Sequence, residues 1–150
     1  HMLMGLQHPK TEENDAKERA IALKMSKSFP DSAIFMTDSE KDICRKMNKA
    51  YCPEKESKEN PILEYYKYII FERFEKIEIN RPEKFGGNLE IGSYNNLEEL
   101  FSEGKIHPLD LKKTAAFYIN ELLKPVRLHF EKDSNAKKLK EQVDGFQVTR

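Results

Sequence analysis

The sequence predicts a mainly α chain carrying one small β-hairpin, an α+β fold. Three observations carry this. Apolar residues recur at helical spacing in three stretches: Ile43, Met47, Ala50 and Tyr51; Ile62, Tyr65, Tyr66, Ile69, Ile70 and Phe74; and Leu111, Ala115, Ile119, Leu122, Leu123, Val126 and Phe130. The second and third stretches open on Asn60-Pro61 and His107-Pro108, with proline at the first helical position, where a missing N–H leaves no hydrogen bond unmade. Alternation of period two occurs around Ile77 and Ile79, between Lys76 and Arg81. The turn Phe85-Gly86-Gly87 then leads to a second strand over Leu89 to Tyr94.

The remaining elements follow in order. Leu3 to Leu6 is a short apolar run, the end of a strand or the turn after it. Gln7 to Ala22 is polar and predicts a mobile, partly helical insertion. Lys24-Met25-Ser26-Lys27-Ser28 reads as a loop, and Pro30 keeps a helix from starting there. After the compact block Ser32 to Asp38, either Asp38 or Ser39 caps the first long helix. Lys41, Arg45, Lys46 and Lys49 lie away from its apolar stripe and predict a solvated basic face. Pro53 to Asn60 reads as a linker between two units, residues 1–55 and 56–150. Asn95 or Asn96 caps a short helix ending near Gly104. Pro125 should kink the longest helix. Lys137 to Val143 is a last polar helix, followed by a short tail from Gln147 to Arg150.

Composition narrows the function classes. Of 150 residues, 38% are hydrophobic and 35% charged, which suits a soluble chain with a modest core. Lys plus Arg (26) equals Asp plus Glu (26), so any nucleic-acid binding must use a local patch rather than bulk charge. No apolar run approaches the ~20 residues that span a bilayer, so no membrane partner is expected. No signal peptide is visible, and the expected location is the cytoplasm. Cys44 and Cys52 lack the partners of a zinc pattern and read as two reduced thiols. His107 and His129 are too far apart to suggest a metal motif, and no protein-bound metal is expected.

Lys24 to Ser28 places two ammoniums and two hydroxyls in five residues. On a closing loop, such groups can stabilise charge that develops on a polyphosphate only in the transition state. Alone, the string is a charged loop like many others. In context, Lys-Met-Ser-Lys-Ser resembles the signature loop of class I aminoacyl-tRNA synthetases, and Ser32 to Asp38 is similar to the tyrosyl and tryptophanyl branch. Five further segments resemble tyrosyl-tRNA synthetases of the archaeal and eukaryotic cytosolic type. They are Asn48 to Pro53, Asn60 to Tyr65, Glu83 to Gly87, His107 to Lys112, and Leu123 to Arg127 with Val148 to Arg150, the last of which looks most like the cytosolic enzymes of protists and plants. The Asn60-Pro61 and His107-Pro108 segments do not resemble the tryptophanyl enzymes.

The resemblance implies roles. Lys24 and Lys27 would engage ATP phosphates, with Mg2+ accompanying ATP, while tyrosine's carboxylate attacks the α-phosphate and pyrophosphate leaves. Ser26 and Ser28 would donate hydrogen bonds or hold the loop's shape, and Met25 would anchor it. Phe85, His107 and Asp110 match positions that receive the first anticodon base, a guanine. The chemistry is consistent. An unpaired base stacks on aromatic faces such as Phe85 and His107. A carboxylate accepts both the N1–H and the amino group of guanine, a donor pair that no other base presents. Singly, each residue also has a plain role: Phe85 in a core, Asp110 in a helix's first turn, His107 as a helix start.

The same resemblance implies the C-terminal portion of such an enzyme. Residues 1–55 would end a Rossmann-type catalytic domain with the loop and its connecting helix, and residues 56–150 would form a helical anticodon-binding domain. The activity implied is ATP-dependent tyrosine–tRNA ligation, with ATP, tyrosine and tRNA-Tyr as partners and no DNA. The parent would be a homodimer, whereas this chain, without the preceding half, would be inactive and monomeric. The alternative from another class is a non-catalytic tRNA-binding or protein-interaction module.

Overall fold

The computed structural model describes residues 3–7, 24–26 and 28–146. Helix α1 (Glu40–Lys49) starts at Ser39, whose Oγ accepts the Asp42 N–H at 3.1 Å and donates to the Asp42 carboxylate at 2.5 Å. Of the two candidate caps, Ser39 acts and Asp38 does not. The Asp42 carboxyl is held below its usual range, first by the Ser39 hydroxyl. Helix α2 (Pro61–Tyr65) passes directly into a π-helical turn, Tyr66–Ile70. Asn60 caps it, its Oδ1 accepting from Ile62 at 3.1 Å and Leu63 at 3.3 Å.

Strands β1 (Ile77–Ile79) and β2 (Leu89–Ile91) form the antiparallel hairpin, pairing Ile77 with Ile91, Glu78 with Glu90 and Ile79 with Leu89. The alternation does its work here: Ile77, Ile79 and Ile91 are buried and the glutamates face out. The second strand is shorter than expected, because Ser93 caps helix α3 (Tyr94–Ser102) by accepting the Asn96 N–H at 3.3 Å. Asn95 and Asn96 therefore lie inside the first turn rather than before it. Helix α4 (Pro108–Lys132) contains Pro125 and continues past it. Helix α5 (Ser134–Asp144) begins three residues earlier than its polar pattern suggests, because Asp133 caps it by accepting from Asn135 and Ala136, both at 2.9 Å.

One buried cluster holds all of these elements except α5 together, running from Leu6 through Ile43 and Met47 to Ile62, Ile91, Phe101, Leu111 and Ile119. Side chains from both sides of residue 55 contribute to it. Helix α1 lies along α4, and the hairpin packs on the same helix. Tyr66, fully buried, donates its hydroxyl to the Leu111 carbonyl at 2.8 Å. The apolar run at Leu3 to Leu6 is pinned by backbone bonds, Leu6 to Ser32 at 2.9 Å and Tyr51 to Leu6 at 2.7 Å, and Met4 bridges to Lys24.

The basic face of α1 needs one correction. Lys46 is not solvated; it is 3% exposed. It sits one turn after Ile43, at the edge of the apolar stripe, and its ammonium reaches Asp38 Oδ2 at 2.6 Å and the Ala33 carbonyl at 2.9 Å. The ammonium also lies 4.5 Å from the centre of the Phe35 ring. Arg45 stays at the surface, paired with Asp31 at 2.7 Å. The predicted insertion beyond Gln7, Lys27 and the tail from Gln147 to Arg150 lie outside the described residues.

Candidate functional site

The hairpin connection shapes an open concavity among the described residues. After Pro82 the chain makes a single helical turn, Glu83–Phe85, and then Gly86 (φ 95°) and Gly87 (φ 70°) take left-handed conformations. Residues with a Cβ are strained there, so the two glycines make the reversal possible. The turn pushes Phe85 outward, 61% exposed, so it is not a core aromatic. Arg81 fastens this tip across the molecule, donating from Nε to the Gly87 carbonyl at 3.0 Å and from Nη1 to the Lys105 carbonyl at 2.6 Å.

That clasp sets the hairpin tip opposite the start of α4. His107 caps α4 through Nδ1, which accepts the Leu109 N–H at 3.1 Å. In the neutral ring the proton then resides on Nε2, which faces Glu54 Oε1 at 3.5 Å. Asp110 follows in the first turn, half-exposed, and among the described residues no side chain pairs with its carboxylate. The result is an open groove of about 900 Å³ lined by Arg81, Phe85, Lys105, His107, Asp110 and Lys113, among others.

The structure thus brings Phe85, His107 and Asp110 to one groove. Chemically it offers an exposed aromatic face, an imidazole, and a carboxylate free to accept two hydrogen bonds. Cations surround them. Arg81 is spent on neutral carbonyls, so no carboxylate neutralises it. Lys105 pairs with Glu103 at 2.6 Å, and Lys113 has no ion-pair partner among the described residues. Net neutrality of the chain hides this local excess. The sequence reading missed Arg81, Lys105 and Lys113. For Lys113 a signal existed, since a residue three after Asp110 shares its helix face. For Arg81 and Lys105 there was none, because their placement depends on the clasp.

The described part of the Lys24 to Ser28 loop lies elsewhere, and none of it lines the groove. Lys24 and Ser28 are exposed, while Met25 packs against the core. Ser26 organises the turn: its N–H donates to Ser32 Oγ at 2.9 Å, and its own Oγ accepts the Ser28 N–H at 3.2 Å. Its carbonyl accepts from the Ser32 hydroxyl at 3.2 Å and the Phe29 N–H at 3.1 Å. Among the described residues, no group of three or more His, Cys, Asp or Glu could hold a metal ion, and no helix is long and apolar enough to cross a membrane.

A family model described as tRNA synthetases class I (W and Y) matches residues 17–124. The chain belongs to that family. Among class I relatives, it is 48% identical over 137 residues to the tyrosine–tRNA ligase of Thermococcus kodakarensis, an alignment covering 88% of this chain and 36% of the relative. In structure it is similar to the tyrosyl-tRNA synthetase of Pyrococcus horikoshii crystallised with L-tyrosine, with TM-score 0.81 and 40% identity, covering 95% of this chain and 40% of that one. The tyrosyl-tRNA synthetase of Leishmania major in complex with tyrosinol gives TM-score 0.77 at 32% identity, covering 96% of this chain and 21% of that one. The chain therefore spans well under half the length of these synthetases.

Proposed function

We propose that this chain is the C-terminal part of a tyrosine–tRNA ligase and that its groove reads the first anticodon base of tRNA-Tyr. The convergence of Phe85, His107 and Asp110 in one cation-rimmed groove carries this reading. A guanine entering the groove stacks against Phe85 and the His107 ring. It presents N1–H and its amino group to the Asp110 carboxylate, while Arg81, Lys105 and Lys113 draw the flanking phosphates. Uracil, cytosine and adenine cannot fill both acceptor positions.

On this reading residues 1–55 close a catalytic domain and residues 56–150 form the anticodon-binding domain. Lys24 and Lys27 serve ATP, which arrives with Mg2+ as substrate, and Ser26 and Met25 hold the loop that presents them. Tyrosine's carboxylate oxygen forms a bond to the α-phosphorus, the bond to pyrophosphate breaks, and a loop ammonium offsets the charge on that leaving group. The whole protein works in the cytoplasm, as a homodimer. Every relative described above is a tyrosine enzyme, which favours tyrosine over tryptophan as the substrate.

Binding of anticodon stem-loops by this chain tests the proposal. The wild type should prefer guanine at the first anticodon position. Charged hydrogen bonds at stake make the expected loss for Asp110→Ala roughly 10- to 100-fold, confined to the guanine-bearing loop. An equal loss for every loop would mean that Asp110 does not read the base.

A further inference from the structure

The groove does not end the unusual surface of α4. Leu109, Lys113 and Phe117 stand four residues apart and so share one face. All are exposed, Leu109 by 49% and Phe117 by 58%. Leu109 and Lys113 line the groove, and Phe117 lies one turn beyond it. Its ring is braced rather than loose. It meets Tyr118 edge-on, with centroids 5.1 Å apart and planes at 84°. Tyr118 in turn packs edge-on against Phe74 at 4.8 Å, and its hydroxyl accepts the Glu78 N–H at 2.9 Å.

We infer that Phe117 is a second nucleobase platform, stacking an unpaired base close along the strand to the one held in the groove, with Lys113 taking a phosphate between them. This rests on the reading of the groove given above. Three observations select single-stranded RNA as the occupant. The face is continuous with the groove. Its central charge, Lys113, is an unpaired cation among the described residues. The exposed apolar side chains along this face, Leu109 and Phe117, are separated by Lys113 rather than joined in one patch of the kind a protein partner needs. Glu121, one turn further and 3.9 Å from Lys124, bounds the face with opposite charge. Along the helix, Asp110 to Phe117 is about 10 Å, roughly three stacked steps of ~3.4 Å and fewer for splayed bases. The occupant is thus a near neighbour of the groove-bound base.

The test measures anticodon stem-loop affinity for the wild-type chain and for Phe117→Ala, Phe117→Leu, Phe117→Tyr and Asp110→Ala. Phe117→Ala should weaken binding about 5- to 150-fold, the range for loss of one base–aromatic stack, and equally for every first anticodon base. Phe117→Tyr should bind like the wild type, and Phe117→Leu should not, since leucine keeps apolar area but offers no π-face. A stem-loop with an abasic neighbouring nucleotide should bind the wild type and Phe117→Ala alike. Unchanged affinity of Phe117→Ala, or full rescue by leucine, overturns the inference. So does a change in oligomeric state without a change in RNA affinity, which would make the face a contact between copies. Absence of guanine preference in the wild type sinks the groove reading. Intact preference with an unaffected Phe117→Ala sinks only the second platform.

Discussion

Replacing Lys46 by methionine should destabilise the fold more than other single changes on the basic face of α1. Lys46 is 3% exposed, and its partner carboxylate on Asp38 is 12% exposed at 2.6 Å. At that separation and an effective dielectric near 20, attraction is roughly 6 kcal/mol, which offsets the desolvation of both groups. Methionine fills the same volume but leaves Asp38 charged and shielded from water. Removing one member of a buried pair typically costs ~3–5 kcal/mol. Asp38 keeps one donor, the Phe35 N–H at 2.9 Å, so the lower end of that range applies. About 3 kcal/mol corresponds to a fall of roughly 6–12 °C in Tm for a chain of this size. Thermal unfolding followed by circular dichroism measures it. The decisive comparison is the double variant Lys46→Met/Asp38→Asn, in which the asparagine still accepts from Phe35 but carries no charge. It should regain at least half of the loss. If the two substitutions simply add, the stability does not come from the ion pair and the argument fails.

Asn60 is 1% exposed and makes four hydrogen bonds, two accepted from Ile62 and Leu63 and two donated, to the Glu56 carbonyl and Cys52 Sγ. Asn60→Ala should lower stability by about 2 kcal/mol in a urea titration, the sum of a lost cap and buried groups left unpaired. The two thiols should separate kinetically under a disulfide reagent at pH 8. Cys44 is exposed and reacts at once, whereas burial pushes the Cys52 thiol up, so little of it is thiolate, and it reacts only on unfolding. Equal rates would contradict the buried position of Cys52.

The periodic stretches were legible because each buries one face of one element. Ile43 and Met47, Ile77 and Ile79, and Leu111, Ala115 and Ile119 all reach the core their spacing predicts. Pro61 and Pro108 marked helix starts because at the first helical position proline's missing N–H leaves no hydrogen bond unmade. What stayed hidden depends on partners distant in sequence. Nothing near Lys46 says that Asp38 and the Ala33 carbonyl will enclose it. The cap of α3 went to Ser93 because three short polar side chains compete for one role, and only the end of the hairpin decides. In the groove, Phe85, His107 and Asp110 were legible as a set through resemblance, and Asp110 and Lys113 share a helix turn. Arg81 was not, since its role comes from spanning Gly87 and Lys105, 18 residues apart in sequence.

The two regions singled out along the chain are mechanically one. Helix α4 carries the groove on its first turns, and about 25 Å further along the axis it carries Arg127. Arg127 donates to the Asp38 carbonyl at 3.3 Å and is steadied by the Asn120 side chain. Near the groove, Lys112 donates to the Asn48 carbonyl at the far end of α1, also at 3.3 Å. Helix α1 is thus tied to α4 at both ends, and the loop block from Ser26 to Asp38 hangs from the Asp38 end. Movement of one site relative to the other requires breaking these ties or the Lys46 ion pair. The groove's residues, by contrast, are set by the Arg81 clasp and the start of α4, which Lys46 does not touch. Lys46→Met should therefore loosen the block that follows the loop while leaving unchanged the guanine preference proposed for the groove. Loss of that preference in a folded Lys46→Met chain would show that the groove is shaped from the α1 side, against the geometry described.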